Sequence, residues 1–213
     1  MKAHLYKMTC LTNLHIGNGD VNYSIIDNEV EKDPVTGEAV IPSSGVKGAL
    51  KDFAKNSGFE DNKAEVFGND ENSGKYKFLS AGLLARPVRI TTGGGAYKMC
   101  YSPEMKKMYD DICDGLGIEN KGDFFEQSGW EKNDNLKYES LPVIARNKLD
   151  ENGISQNLWY EEYVPHHSVF YMIIITPDED NKLDDLIKGK VVQFGADASI
   201  GYGLMKIEKI EEA

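Results

Sequence analysis

Residues 11–55 decide the fold: LTNLHIGNGD VNYSIIDNEV EKDPVTGEAV IPSSGVKGAL KDFAK. They predict an apolar strand that ends in a glycine loop at 15–19, and then an extended segment that carries Asp27. A turn follows, and residues 42–44 open a predicted helix. The surface of that helix carries Lys47, Lys51 and Lys55. Loop N–H groups, a helix N-terminus and lysines suit a polyanion, and one isolated carboxylate lies close by.

The far end of the chain supplies a second glycine loop, GADASIGYG at 195–203, which runs into a predicted closing strand. Apolar patterning predicts the main strands at 3–14, 79–91, 169–176 and 204–210. Helices are predicted at 44–56, 103–115 and 180–188. Strands and helices alternate without a Rossmann glycine fingerprint, which favours an α+β fold with an antiparallel sheet and helices on one face.

Residues 143–162 predict a separate β-hairpin with a turn at 150–153. Asn152 and Gly153 form a strong turn signal, because both residue types tolerate a positive φ. The hairpin carries large apolar side chains with little obvious core to reach: Leu149, Ile154, Leu158 and Trp159. The pattern alone is equally compatible with an extension of the main sheet.

Composition favours an acidic domain, since 24 Lys+Arg against 35 Asp+Glu give a formal charge of −11, whereas nucleic-acid binders are usually basic. The distribution of charge favours RNA instead. Acidic residues concentrate at 60–71, 110–134 and 178–185, which we interpret as solvated surface. The basic residues cluster elsewhere: Lys47, Lys51, Lys55, Arg86, Arg89, Lys98, Lys106 and Lys107.

Cysteine usage and hydropathy indicate the compartment. The three cysteines Cys10, Cys100 and Cys113 include no close pair, which argues against a zinc site and a disulfide framework. We expect Cys10 and Cys100 to be small buried apolar residues. The N-terminus lacks a long apolar segment and no run approaches a membrane span, so we expect a cytoplasmic protein with no membrane partner.

Motifs at both ends of the chain resemble those of the RAMP superfamily of CRISPR-associated RNA-binding proteins. They are LHIGNG at 14–19, KDPVTG at 32–37, IPSSGVKG at 41–48 and GADASIGYG at 195–203. The middle resembles the repeated backbone subunit of type III-B (Cmr) effector complexes. The segments concerned are RPVR at 86–89, GAYKMCYSP at 95–103, VIARNKLD at 143–150 and LWYEEYVP at 158–165.

The sequence departs from the family pattern in two respects. The family's PGSSLKG is PSSGVKG here, at 42–48, so a glycine and a serine have traded places and no hydroxyl is present at Gly45. The chain of 213 residues is also shorter than typical type III-B relatives and closer to the type III-A (Csm) counterpart. We expect a single RAMP domain over 1–213, with variable acidic insertions at about 57–75 and 108–137.

The resemblance implies an RRM-like, ferredoxin-like palm. It also implies that the hairpin at about 143–162 is a thumb that reaches over the guide–target duplex and displaces one base pair at regular intervals. The thumb residues would be Leu149, Ile154, Leu158 and Trp159. The implied RNA-binding residues are His15, Gly17, Gly19, Ser43, Ser44, Lys47, Lys51, Arg86, Arg89, Arg146, Ser199, Gly201 and Gly203. The implied partners are CRISPR guide RNA, single-stranded target RNA, copies of the chain in a helical backbone and other type III effector subunits.

Asp27 carries the predicted chemistry. An aspartate in such a loop is most often a turn former or a helix cap. The resemblance implies instead that Asp27 is the catalytic residue of a metal-dependent endoribonuclease that cuts guide-complementary RNA. One carboxylate can hold a hydrated Mg²⁺ or Mn²⁺ against a phosphate, so we expect metal binding to depend on RNA. Glu29 and Glu31 could also serve, whereas Asp33 precedes a proline and shapes the turn.

Four other residues are candidates for catalytic support: His15 as a general base, and Tyr160, Glu161 and Glu162 at the base of the thumb. For His15 we favour packing or hydrogen bonding to the guide backbone. Three alternatives to target cleavage remain open: a guide-RNA scaffold that does not cleave, a repeat-processing RAMP endoribonuclease that uses His15, and an acidic interaction module.

Overall fold

The computed structural model describes residues 1–19, 25–90, 95–127, 129–177 and 182–210. The strands of these ranges are β1 Lys2–Cys10, β2 Val40–Ile41, β3 Lys77–Phe78, β4 Ala81–Arg89, β5 Tyr97–Tyr101, β6 Glu131–Lys132, β7 Val143–Leu149, β8 Ser155–Glu162, β9 Val169–Thr176, β10 Val191–Gln193 and β11 Leu204–Lys209. The helices are α1 Ser43–Asn56, α2 Lys63–Phe67, α3 Pro103–Gly115, α4 Phe124–Gln127 and α5 Asp184–Ile187. Short 3₁₀ turns occur at Leu136–Tyr138 and Ala198–Ile200.

One mixed sheet forms the body of the described chain, in the order β10-β11-β1-β9-β4-β5-β6, with β2 against β4 and β3 against β9. Every pairing in it is antiparallel except the short parallel contact of β5 with β6. The central pair is β1 with β9, in a register that places Tyr6 opposite Met172. The predicted α+β fold with an antiparallel sheet palm is confirmed.

The two faces of the sheet are covered differently. Alternate residues point to opposite faces of a strand, and in β1 Tyr6 and Met8 belong to one apolar core whereas Leu5 belongs to another. The first core packs against α1, α2 and α5, which form the predicted helical layer. The second packs against Tyr109 and Cys113 of α3, so α3 adds a cover on the other face.

The acidic stretches contribute to the core, contrary to their interpretation as solvated surface. In the 57–75 stretch, Val66 and Phe67 of α2 are buried, and the Phe67 ring stacks on Phe78 at 5.4 Å. In the 108–137 stretch, the rings of Phe125 and Trp130 pack on the second core. The acidic residues lie on amphipathic elements. The interpretation of these stretches as solvated surface was therefore wrong for the apolar residues that lie between the acids.

Most predicted elements are confirmed, with shifted ends. Helix 103–115 and strand 169–176 have the predicted bounds, whereas the first strand ends at Cys10 and Leu14 only bridges to Val164. The helix predicted at 180–188 is α5, Asp184–Ile187; residues 180–181 of that prediction, and Thr91 of the second predicted strand, lie outside the described residues. All three cysteines are buried and free. In the described ranges, no helix is both long and apolar enough to cross a membrane.

The predicted hairpin is a separate two-stranded sheet of β7 and β8. Its loop is longer than the two residues that Asn-Gly suggests, since Leu149 pairs with Ser155. Only Gly153 takes a positive φ, and the Asp150 carboxylate accepts N–H bonds from Asn152 and Ile154. These hydrogen bonds lower the pKa of Asp150, the bond from Ile154 most of all.

Candidate nucleic-acid interface

The two glycine loops pack directly on one another. The Ala196 N–H donates to the His15 carbonyl oxygen at 2.9 Å, and the Gly203 N–H donates to the Asn13 carbonyl oxygen at 2.7 Å. At Gly195, with φ +72°, a Cβ would lie 2.2 Å from the His15 carbonyl oxygen, so only glycine fits. The two ends of the chain that sequence analysis singled out therefore form one surface.

Asp27 lies beside the base of the hairpin. Its Oδ2 accepts the Tyr160 N–H at 2.8 Å, while the Asp27 N–H donates to the Tyr160 carbonyl oxygen at 3.0 Å. The segment that follows is held by buried Glu162, whose Oε2 accepts the Val30 N–H and whose Oε1 pairs with Lys32. This reciprocal backbone bonding fixes an exposed carboxylate at the junction of palm and hairpin.

His15 is only 5% exposed. Its Nδ1 lies 2.7 Å from the Glu162 carbonyl oxygen, which can only accept, so Nδ1 carries the proton. A Cβ on Gly17 would lie 3.3 Å from the His15 Nε2. This geometry favours the packing interpretation of His15 over a general base.

A charged cluster joins the hairpin to the second glycine loop. Arg146 on β7 donates to Glu161 on β8 at 2.9 Å and to Asp197 at 3.2 Å, and its guanidinium carbon lies 4.7 Å from the centre of the Tyr202 ring. Asp197 adopts a left-handed conformation with φ +61°. Arg146 therefore acts as a clamp between hairpin and palm.

The two carboxyl groups of this clamp have pKa values that are shifted in opposite directions. Burial, and then the neighbouring Glu161 carboxylate, raises the pKa of Asp197. Burial opposes ionisation of Glu161 as well, but hydrogen bonds from Asp197 and Arg146 keep the pKa of Glu161 below its ordinary value. The Glu161 carboxylate is thus the charged partner of Arg146, and buried His15 adds a favourable interaction.

The start of α1 is exposed, as predicted. The Ser43 N–H donates to Ser80 Oγ at 3.2 Å, the first turn contains no acidic residue, and no side chain caps the helix. Ser43 and Ser44 are exposed, Lys47 is half-buried, and Lys51 is exposed. Across the described residues, none of the salt bridges involves Lys47 or Lys51.

Arg86 is the clearest correction among the predicted RNA-binding residues. It is 3% exposed; its Nε donates to Glu38 at 2.9 Å, and its Nη2 donates to the carbonyl oxygens of Leu136 and Glu139. A buried guanidinium that makes these three hydrogen bonds is not available to RNA, so Arg86 is a structural cation. Arg89, three residues on, is exposed.

The basic cluster proposed from the sequence is divided as well. Lys98 pairs with Glu131 at 2.7 Å, and the α3 lysines pair with acids four residues on, as Lys106–Asp110 and Lys107–Asp111. Tyr109 and Cys113 of α3 pack on the second core, across the sheet from α1, and only Met105 at the start of α3 belongs to the first core, so the α3 lysines do not extend the α1 surface. This part of the charge prediction was wrong.

Most of the remaining predicted residues are accessible. Ser199 is exposed in the 3₁₀ turn, Gly17 and Gly19 are exposed, and Gly201 takes φ +82° with open space where a Cβ would lie. Gly203 is the exception, since it is buried and its N–H is already bonded to the Asn13 carbonyl oxygen. On the hairpin, three apolar side chains are more than half exposed and Trp159 is half-buried; the three are Leu149, Ile154 and Leu158. The hairpin therefore protrudes and does not extend the main sheet.

The donors near Asp27 suit only a weakly held cation. Within the described ranges, no group of three or more His, Cys, Asp or Glu could hold a metal ion. Asp27 uses Oδ2 for the Tyr160 N–H, and its exposed carboxylate fits a hydrated Mg²⁺ or Mn²⁺ as a single anionic contact. Such a cation would need a second anion, which a phosphate can provide.

Sequence reasoning missed Asp197, which lies among glycines, although a non-glycine residue in such a loop is itself a signal. It named Glu162 at the base of the thumb but did not predict its contacts. Its partners Val30 and Lys32 lie more than a hundred positions away in the sequence, so no local pattern indicates them.

A sheet palm, a protruding hairpin and two interlocked glycine loops define a palm-and-thumb protein. The sequence model of the RAMP superfamily matches residues 7–206. The chain belongs to the RAMP superfamily.

Individual relatives are similar to this chain over nearly its whole length. The chain is 24% identical over 282 aligned positions to the CRISPR system Cmr endoribonuclease Cmr4 of Pyrococcus furiosus, an alignment that covers 97% of this chain and 95% of that protein. In the cryo-electron microscopy structure of type III-B Cmr-beta in the apo state, one chain matches with a TM-score of 0.79 at 20% identity. This match covers 99% of the present chain and 98% of that chain. The crystal structure of oligomeric Cmr4 from Pyrococcus furiosus matches with a TM-score of 0.66 at 18% identity and covers 100% of both chains.

Proposed function

We propose that this chain is a backbone subunit of a cytoplasmic type III-B (Cmr) CRISPR effector complex. It binds the guide RNA together with copies of itself and other effector subunits, and it cuts single-stranded target RNA that pairs with the guide. The full-length similarity to a Cmr endoribonuclease supports this function, as does the similarity to a chain of Cmr-beta bound to cognate target RNA, at a TM-score of 0.78.

The observation that carries the proposal is the position of Asp27. Its exposed carboxylate is fixed at 2.8 Å from the Tyr160 N–H, where the hairpin leaves the palm. A target strand lying along the hairpin base would pass this carboxylate. The guide would lie over the glycine loops and the start of α1, where N–H groups are uncapped and where Lys47 and Lys51 form no salt bridge with the described residues.

The proposed reaction is attack of a ribose 2′-oxygen on the adjacent phosphate. The 2′-hydroxyl loses its proton, a bond forms from that oxygen to phosphorus, and the 5′-oxygen leaves and takes up a proton, giving a 2′,3′-cyclic phosphate and a 5′-hydroxyl. Asp27 orients the reacting segment, and the hydrogen bond from Tyr160 holds the carboxylate in one rotamer. A bound Mg²⁺ or Mn²⁺ would supply neutralisation of charge at the phosphate.

The cleavage pattern of guide-complementary RNA by the assembled complex, with Mg²⁺ or Mn²⁺, tests the proposal. We expect several cuts at a constant spacing, matching the repeat of the subunit. Asp27→Ala is expected to abolish these cuts and to leave guide binding and assembly nearly intact. A single cut at one sequence-defined place would support the repeat-processing alternative instead.

Asp61→Asn is the matched control, because Asp61 is an exposed carboxylate in the 57–75 stretch. We expect this variant to cut like the unaltered chain. If Asp27→Ala lost guide binding together with cleavage, Asp27 would be structural and the non-cleaving scaffold would be the better description.

A further inference from the structure

A cleft of about 530 Å³ lies outside the interface described above. It lies between the β4–β5 hairpin and the two segments that precede and follow the thumb. Three prolines are among its lining residues: Pro87, Pro142 and Pro165. None of its lining residues contributes to the glycine loops or holds Asp27. A cleft of this size accommodates a small organic group of nucleotide size.

Aromatic rings line one side of this cleft. The Tyr97 ring stacks on the His167 ring with centroids 5.9 Å apart and planes 11° apart, and the His166 ring is 4.6 Å from His167. Tyr97 is nevertheless 45% exposed, so a flat face remains open. Exposed stacked rings of this kind bind another planar ring well.

The backbone is constrained where these rings are presented. His167 has φ +71°, one of two positive values among the described non-glycine residues. Its N–H donates to the Cys10 carbonyl oxygen at 2.8 Å, and the His166 N–H donates to Asn13 Oδ1 at 3.0 Å. Such conformations cost free energy and concentrate at binding sites.

Arg89 supplies a cation at the rim. Arg89 is exposed, and no salt bridge among the described residues includes it, in contrast to buried Arg86. The lining also includes Glu139. An open ring face beside an unpaired guanidinium fits a base attached to a phosphate.

The cleft is continuous with the proposed RNA surface. Tyr163 lines the cleft, and its ring meets the Tyr202 ring edge-on at 6.1 Å. Tyr202 in turn carries Arg146 over its face. A row of ring surfaces thus leads from the second glycine loop into the cleft, as on platforms that bind single-stranded nucleic acid.

We propose that this cleft binds one unpaired nucleobase of the RNA, stacked on Tyr97 with its phosphate near Arg89. The inference rests on the proposed function, because the bound RNA supplies the base. Where the hairpin displaces a base from pairing, the cleft offers that base a second stacking surface.

The test uses the assembled complex and target RNAs that carry 4-thiouridine at one position at a time. Ultraviolet light should crosslink one position in each repeat to the peptide that contains Tyr97 or to the one that contains His167. Tyr97→Leu should remove this crosslink, because leucine keeps apolar volume without a ring, and should weaken target binding about fivefold or more. Arg89→Gln should weaken target binding in the same direction.

Tyr138→Leu is the matched control, since Tyr138 is 74% exposed and is not part of the cleft lining. It should leave the crosslink unchanged. Crosslinks confined to the glycine loops and α1, with cutting retained, would overturn the cleft assignment alone. Crosslinking of the cleft to another protein chain would make it a subunit interface and overturn the assignment too. A complex that binds no target would overturn both proposals.

Discussion

The junction of the two glycine loops and the tip of the thumb are opposite kinds of structure. At the junction, backbone atoms of distant segments approach so closely that Gly195 and Gly203 have no room for a Cβ. At the tip, Leu149, Ile154 and Leu158 are each more than half exposed, and β7 and β8 form a two-stranded sheet separate from the main one. Packing within the chain holds the junction in its geometry. The tip, in contrast, presents apolar surface that no other part of the described chain covers.

This difference predicts which substitutions should affect stability and which should affect function alone. Substitutions at the junction should change the free energy of unfolding strongly, since they act on packed backbone. Substitutions at the tip should change it little, since they remove little buried apolar surface. The Arg146 clamp lies between these regions and should have an intermediate effect.

The largest loss of stability is expected for Gly203→Ala. A Cβ there would lie 1.9 Å from the Phe194 carbonyl oxygen, and φ is +79°. Overpacking and left-handed strain together should lower the free energy of unfolding by more than about 3 kcal/mol. Urea unfolding followed by circular dichroism measures this loss.

Gly201→Ala separates the two causes. Gly201 has φ +82° but no atom within 4 Å of the Cβ position, so only the conformational cost of about 1–2 kcal/mol applies. Equal losses for the two variants would show that the close approach at Gly203 relaxes at little cost.

The next largest effect is expected for Arg146→Ala. The change leaves Glu161, with a side chain only 5% exposed, without its cation. Because Arg146 itself retains 17% exposure, we expect a loss of about 2–3 kcal/mol, somewhat less than for a fully buried pair. Hydrogen exchange should show faster opening of β7 and β8 than of β1 and β9.

Lys148→Ala, an exposed position on the same strand, serves as the control for Arg146 and should cost less than about 0.5 kcal/mol. Arg146→Lys keeps the charge, but lysine lacks the planar guanidinium that contacts Glu161 and Asp197 together. This variant should therefore recover only part of the stability that Arg146→Ala loses. Unchanged exchange of the hairpin in Arg146→Ala would mean that the backbone bonds to the 27–30 segment suffice to hold the thumb.

A smaller effect is expected from the titration of Asp197 and Glu161. Because the pKa of Asp197 is raised in the folded chain, its protonated form contributes stability below the ordinary aspartate pKa, and this contribution is lost as pH rises through the raised value. Glu161 behaves oppositely: its contribution is lost as pH falls through its lowered pKa. The Asp197 contribution to the clamp should therefore weaken as pH rises above the ordinary aspartate pKa of about 4.

Asp197→Asn should remove the Asp197 part of this pH dependence. Asparagine tolerates the left-handed conformation at φ +61° and donates an N–H to Glu161 without ionising. Hydrogen exchange of the hairpin, measured across that pH range, should be flatter in the variant than in the unaltered chain. A profile as steep as that of the unaltered chain would assign the titration to a group other than Asp197.

The palm was predictable because its signals are local. Continuous apolar runs and a proline after Ser102 gave β9 and α3 their observed bounds, and the glycine spacing indicated loops at both ends. The protrusion of the hairpin was left open by the pattern, since apolar residues on a hairpin suit a sheet face equally well.

The charged residues were less predictable because their partners are set by the fold. Arg86 pairs with Glu38, which is 48 positions away, and no local pattern indicates that contact. The pairing of Lys106 with Asp110 was different, since a spacing of four on a helix is itself a signal. The basic surface was overstated because lysines were counted by segment, without regard to the acidic residues that lie one helical turn further along.

The smallest effect on stability is expected at the tip. Leu149→Ser and Leu158→Ser together should change the free energy of unfolding by less than about 0.5 kcal/mol, because both side chains are already more than half exposed. In the assembled complex, the same pair should weaken target binding, because apolar side chains that enter a base stack must offset an unstacking cost of a few kcal/mol. Val191→Ser, at an exposed apolar position of β10 away from the hairpin, is the control and should leave target binding unchanged. Equal target affinity of the double variant and the control would show that the tip does not touch the duplex. A large loss of stability in the double variant would show instead that the tip is covered within a single chain, and the contrast between junction and tip would fail.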